Sequence, residues 1–158
     1  MSYKQLNTLA LAGQISKVGE SLARSTGEQN VGATVVHAGH FVSIASPHGI
    51  RALTATTDAL AGVVVKSQLQ DSYAQDEYLS VGKIGHGDGM WVVLEGEAER
   101  GDPVHIRAVA GVNLPTGSVS ATAIEDVTDP ENPVAQSIES DYIIINVADG
   151  LAEVTRKE

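Results

Sequence analysis

The sequence predicts an all-β protein, a small β-barrel or a jelly-roll-like β-sandwich, preceded by an extended or partly helical N-terminal arm. Three observations lead there. Val, Ile, Ala and Thr are plentiful, while there is one Phe, one Trp and four Tyr, and Gly is scattered throughout. From Val31 onward turn signals separate short apolar segments at close intervals. The stretch from Met90 to Arg107 reads as strand, turn, strand, with the only tryptophan, Trp91, in the run Trp91-Val92-Val93-Leu94.

In chain order, residues 1–30 form the arm and residues 31–158 the β-rich domain. The arm is rich in Ser, Gly, Gln and Ala and lacks period-2 alternation. Leu11, Ile15, Val18 and Leu22 fall at helical spacing and would make one apolar stripe. Gly13 and Gly19 oppose a helix, each costing about 1 kcal/mol relative to alanine. The extended reading, with the arm packed on another surface, is therefore the favoured one. Ala33 to His37 and Phe41 to Ala45 are candidate strands, with Ala38-Gly39 between them as a hairpin turn. Pro47-His48-Gly49 breaks the chain before Ile50 to Thr54. Ala61 to Val65 is an apolar run suited to a buried strand, and Gln68 to Glu77 is a polar connection.

Tyr78 to Ile84 alternates, with Leu79 and Val81 opposite Tyr78 and Ser80. Gly101-Asp102-Pro103 suits a turn, because aspartate bonds its own backbone and proline fixes φ as the next strand begins. From Val104 the alternation puts Val104 and Ile106 in the core and His105 and Arg107 on a wet face. Val119 to Ile124 is a candidate strand. Glu125 to Ser140, with its Asp129-Pro130 and Asn132-Pro133 pairs, reads as an exposed acidic loop near 125–140. Tyr142 to Val147 is the clearest strand, and Asp149-Gly150 returns the chain into Leu151 to Arg156.

Charge and composition exclude several functions. The formal net charge of −10 opposes binding to nucleic-acid phosphates or anionic lipid, so neither nucleic acid nor membrane is expected as a partner. No apolar run approaches the roughly 18 to 20 residues that span a bilayer. With no cysteine, disulfides, thiolate metal sites and cysteine nucleophiles are absent. Between Ala108 and Thr155 there are eight acids and no lysine, arginine or histidine.

No motif carries catalysis, and neither a catalytic residue nor a cofactor is expected. His37 and His40 converge across the Ala38-Gly39 turn, but no spacing links the five histidines into a zinc site, so no metal is expected. Gly85-His86-Gly87-Asp88-Gly89 lacks the spacing of a phosphate loop and leads into a strand, which makes it a turn. Arg100-Gly101-Asp102 spells an adhesion tripeptide but is accounted for as a turn. Glu95, Glu97 and Glu99 share one face if the strand continues that far; their crowding would raise a pKa, and solvated edge glutamates are the simpler reading.

Several segments, taken in order, resemble the head decoration, or cement, proteins of tailed bacteriophages. They are Ala12 to Ser21, Val31 to Val36, Ala61 to Val65, and Trp91 to Ala98 with Gly101-Asp102-Pro103-Val104. The resemblance covers roughly Ala12 to Arg107. It implies a small β-rich module on the outer surface of the capsid, made in the host cytoplasm, that bridges neighbouring major capsid protein subunits and commonly forms a dimer or trimer. On that reading the arm residues Leu11, Gln14, Ile15, Val18 and Leu22 bind capsid or protomer. Trp91, Glu95, Glu97 and Arg100 are the candidates for oligomer or lattice contact. The competing functions are a virion-associated carbohydrate- or receptor-binding module using Tyr73, Tyr78 or Trp91, and an oligomeric enzyme built around His86 or His105.

Overall fold

The computed structural model describes residues 10–19 and 26–157. Among these residues every regular element is a strand, and two antiparallel sheets account for most of them. The larger sheet has the order β1 (Ile15–Lys17), β9 (Gly89–Val93), β15 (Leu151–Arg156), β14 (Ser137–Ala148), β10 (Pro103–Arg107), β11 (Val119–Ser120). The second has the order β2 (Thr26–Gln29), β8 (Tyr78–Gly82), β6 (Leu60–Val64), β4 (Phe41–Ile44), β5 (Ile50–Ala52). Two short pairs complete the fold, β3 (Val36–His37) with β7 (Ser72–Tyr73) and β12 (Glu125–Asp126) with β13 (Val134–Ala135).

Both large sheets curl. A lone parallel bridge joins Leu94, just past β9, to Val119 in β11, and another joins Asn30, just past β2, to Ile50 in β5. Neither sheet closes into a barrel by a full ladder, so of the two predicted architectures the structure takes the sandwich.

The sheets pack through the strands with two apolar faces. On β4 and β6, Phe41 and Val63 point into the main core, where Met90, Val92, Val104, Ile106, Ile144, Ala152 and Val154 of the six-stranded sheet meet them. The intervening Val42 and Val64 point the other way, into a second core with Val36, Ile50, Tyr73, Leu79 and Val81. A strand buried on both sides loses its polar alternation, which is why Ala61 to Val65 reads as an unbroken apolar run. Each such valine, fully buried, stabilises the fold by roughly 1.5–3 kcal/mol.

Among the described residues the arm takes the favoured extended alternative, and several other sequence expectations are corrected. Ile15 to Lys17 pairs with Met90 and Gly89 as a strand, so the helical stripe does not form there; Leu22 lies outside the described residues. Backbone pairing with β9 has replaced the intrahelical bonds. Among the described residues before Asn30, β1 lies on β9 and β2 on β8, so each large sheet holds a strand from this stretch. Gly13 clasps the two layers: its N–H donates to the Trp91 carbonyl at 2.8 Å and its carbonyl accepts from Lys66 N–H at 2.9 Å. It has φ +77, and a Cβ there would stand 2.6 Å from the Val64 carbonyl oxygen.

Ala38-Gly39 is a corner between sheets, because β3 pairs with β7 while β4 pairs with β5 and β6. The first candidate strand shrinks to Val36–His37, and the polar connection after Gln68 contributes β7. The strands on either side of the Glu95–Asp102 turn share a sheet without pairing to each other. The closing hairpin inserts between them, β15 against β9 and β14 against β10.

That hairpin is as expected. Ala148 pairs with Leu151, and Asp149 and Gly150 have φ values of 49 and 76, the two positive values a two-residue type I′ turn needs. The acidic loop is exposed over residues 125–135, where β12 pairs with β13, but its last part is corrected: residues 137–140 open β14, with Ile138 packed against the main core.

Candidate interaction surfaces

The polar residues fall into two groups, those that join strands and those that face outward. Glu95 and Arg107 belong to the first. Arg107 Nε donates to Glu95 Oε1 at 2.6 Å and Nη2 to Oε2 at 2.9 Å, a two-pronged pair. The Ser118 hydroxyl donates to the same carboxylate. Burial pushes the Glu95 carboxyl up, but the hydrogen bonds from Arg107 and Ser118 and the guanidinium charge outweigh it and hold it below the usual range. Two expectations are thereby corrected. Arg107 is buried, at 7% exposure, with its charge answered by Glu95. The solvated-edge reading fits Glu97 and Glu99, which face solvent, but not Glu95, which turns inward past the end of β9 at Val93.

Glu153 is the second internal acid, 4% exposed. Ser16 Oγ donates to it at 2.7 Å and Asn146 Nδ2 at 2.8 Å, with Lys17 Nζ 3.9 Å away. These bonds tie β1 and β14 to β15. They pass over Gly89, where a Cβ would lie 2.5 Å from Ser16 Oγ. Asp88 plays a similar part in the glycine-dense turn, its carboxylate accepting from the amides of Gly85 and Gly19.

The histidines do not converge as a set. His37 and His40 are neighbours, with ring centroids 5.8 Å apart, while His48 and His86 are exposed on loops and His105 is half-buried on β10. Among the described residues no group of three or more His, Cys, Asp and Glu is arranged to hold a metal. His40 is buried, its Nδ1 3.3 Å from the Ala38 carbonyl and its Nε2 without a partner. Burial pushes this imidazole below its usual range, against the pull of the Ala38 hydrogen bond.

The arm residues separate into anchored and displayed. Ile15 packs against the main core, and Gln14 is engaged locally, its side-chain oxygen accepting from Leu11 N–H at 3.1 Å and its carbonyl from Trp91 N–H. Leu11 and Val18 are exposed, at 44% and 68%. Trp91 is half-buried opposite Glu153, whereas Glu97 and Arg100 stand in solvent around the Glu99–Asp102 turn. Of the three aromatic platforms considered for sugar binding, Tyr73 is in the second core and Tyr78 alone is exposed.

The feature that sequence reasoning passed over is the outward side of β14. Ile144 faces the core, and Ile143 and Ile145 line a groove on the other side with Lys17, Arg156 and Lys157. The unbroken Ile143-Ile144-Ile145 run was the available signal, since a strand wet on one side alternates. Beyond the start of β14, the 125–135 hairpin displays Glu125, Asp126, Asp129 and Glu131 with Val127 and Val134. Hydrogen bonds from the Thr128 side chain to Asp126, and from the Asn132 side chain to Asp129, lower both carboxyls, so the hairpin keeps its charge.

The chain thus belongs to the class of all-β sandwich proteins, with the polar clusters described above joining its own strands and its exposed apolar and charged groups facing outward. The comparisons make that class specific. A model of the XM1 gp53 minor capsid protein family matches residues 1–155. The chain belongs to this family, and its role is that of a structural component of the phage virion, associated with the capsid. A solved structure described as "The capsid of Myoviridae Phage XM1" contains a chain of the same fold, with a TM-score of 0.64 at 12% identity, covering 100% of this chain and 99% of that one. No protein of curated function matches the sequence.

Proposed function

We propose that this protein decorates the outer surface of the phage head and bridges neighbouring major capsid protein subunits. The observation that carries the reading is the division within the arm. Gln14 and Ile15 fasten it to its own sheets, and Leu11 and Val18 remain exposed beside them. A rigid strand that presents apolar side chains outward can cover a neighbouring subunit without first paying the entropy of ordering.

Each such contact is modest, and multiplicity supplies the rest. When one copy touches two subunits, the second contact is intramolecular, so avidity exceeds either affinity by about 10²–10⁴. A protein that binds the expanded lattice and not its dissociated subunits stabilises that lattice by linkage.

The test uses heads lacking the protein, with purified protein added back. Wild type is expected to cosediment with the heads and to raise the temperature at which they release DNA. Leu11→Asp with Val18→Asp, both at exposed positions, should fold normally and lose cosedimentation. Absence of the wild-type protein from purified particles, or a location inside the shell in their cryo-electron microscopy density, overturns the reading.

A further inference from the structure

We propose that the acidic 125–135 hairpin of one copy docks into the isoleucine-floored basic groove of a second copy, so that the protein self-associates head to tail. The two surfaces match in chemistry. The groove has Ile143 and Ile145 as its floor and Lys17, Arg156 and Lys157 around it, three of the ten Lys and Arg residues in a chain of net charge −10. Its one lining acid, Asp88, is 1% exposed and occupied by the Gly85 and Gly19 amides; Lys17 already faces Glu153 at 3.9 Å, so Arg156 and Lys157, both exposed, are the cations the groove chiefly offers. The hairpin presents four exposed carboxylates together with Val127 and Val134, which are 64% and 62% exposed.

Within one molecule the two surfaces stay apart. The hairpin is pinned at its base, where Gln136 N–H donates to the Ile124 carbonyl at 2.8 Å and Ala108 N–H to the Gln136 carbonyl at 2.9 Å. From there β14 runs seven residues to Ile143, roughly 23 Å at about 3.3 Å per residue. The segment that carries the hairpin, residues 108–155, contains no cation, and Arg107, opposite Ser137 at its base, is already paired with Glu95. A second copy supplies Arg156 and Lys157, with an apolar floor for the valines. Because hairpin and groove are different patches, the contact is heterologous: each copy gives a hairpin to one neighbour and a groove to the other, which permits a closed ring.

Sedimentation velocity on the free, full-length protein at low and high salt tests this. Wild type should self-associate, and more weakly as salt screens the charges. Reversing the groove with Arg156→Glu and Lys157→Glu, or cancelling the charge of the hairpin with Asp129→Lys and Glu131→Lys, should each weaken self-association by about tenfold or more. An unchanged circular dichroism spectrum shows that the fold survives; Arg156→Gln with Lys157→Gln serves if a reversal does not fold. Mixing the two variants should restore assembly, because the unaltered acidic hairpin of one meets the unaltered basic groove of the other, and at the second contact the introduced lysines meet the introduced glutamates. A wild-type protein that stays monomeric at low salt, variants that leave the oligomer intact, or a mixture that fails to reassemble each overturns the proposal. These results are independent of where the protein sits on the particle: an oligomer absent from heads would sink the decoration reading alone, and a monomer found on heads this one alone.

Discussion

Two acidic stretches of this chain have similar composition and opposite fates. Glu95 leads a run with Glu97 and Glu99, and the first of the three is drawn into the fold by Arg107 and Ser118. The 125–135 hairpin has four acids, and all four stay at the surface. The difference is the reach of a cation. Arg107 lies at the end of β10, where the curl of the six-stranded sheet brings Leu94 against Val119 and so sets Glu95 beside it. The hairpin rises from a segment with no basic residue, and burying its carboxylates would carry a desolvation cost with nothing to offset it. Acidity in one place joins strands, and in the other it is displayed.

The sharpest way to break this contrast is to remove the cation. Arg107→Met should lower the unfolding free energy by about 3 kcal/mol, the lower end for stranding one member of a buried pair, because Glu95 keeps a side-chain exposure of 16%. Urea unfolding monitored by Trp91 fluorescence measures it; a change below about 1 kcal/mol would show that Glu95 is in effect solvated. Glu153→Ala should cost somewhat less, about 1–3 kcal/mol, by leaving Ser16 and Asn146 without their acceptor. Faster hydrogen exchange in β1 would identify the loss as detachment of that strand, and uniform exchange would contradict it.

Acid titration tests His40 and Glu95 in separate windows. The folded-state pKa of His40 is lowered, so below about 6.5 the unfolded chain binds a proton that the folded one resists, and stability falls as pH drops from there toward the folded value. Glu95 is also lowered, so its contribution is present above the unfolded value near 4.5 and is lost as pH falls through the folded one. His40→Leu should flatten the upper window and leave the lower. A wild-type stability that does not change between pH 7 and 5 would remove His40 from this account. The smallest effect belongs to the displayed acids: Glu125→Gln with Glu131→Gln should leave the urea midpoint unchanged, and a clear shift would mean that the hairpin is held by charges the contrast leaves out.

Much of this fold was legible because it is local. The alternation of Leu79 and Val81 with Tyr78 and Ser80, the apolar run Ala61 to Val65, and the Asp149-Gly150 turn are each set by residues close in sequence, and each appears in place. The arm could be read as unlike the domain but not as part of both sheets, since Ile15 meets Met90 across more than seventy residues. Arg107 looked solvent-facing because alternation alone assigns it beside His105, and nothing local indicates that Glu95 and Ser118 will enclose it. Ile143 and Ile145 carried a signal in their unbroken run, but the sequence does not say which side meets the core.

By itself the sequence determined that this is an all-β, cysteine-free, acidic chain whose ordered motifs resemble capsid decoration proteins, because strand periodicity, turn chemistry and net charge depend on neighbouring residues or on simple sums. Tertiary structure alone decided that the closing hairpin separates the two central strands, that Glu95 and Glu153 lie inside, and that three cations surround two outward isoleucines. Those outcomes depend on which distant strands pair, and pairing follows the burial of both faces of the central strands, a property of the whole molecule that no short window of residues contains.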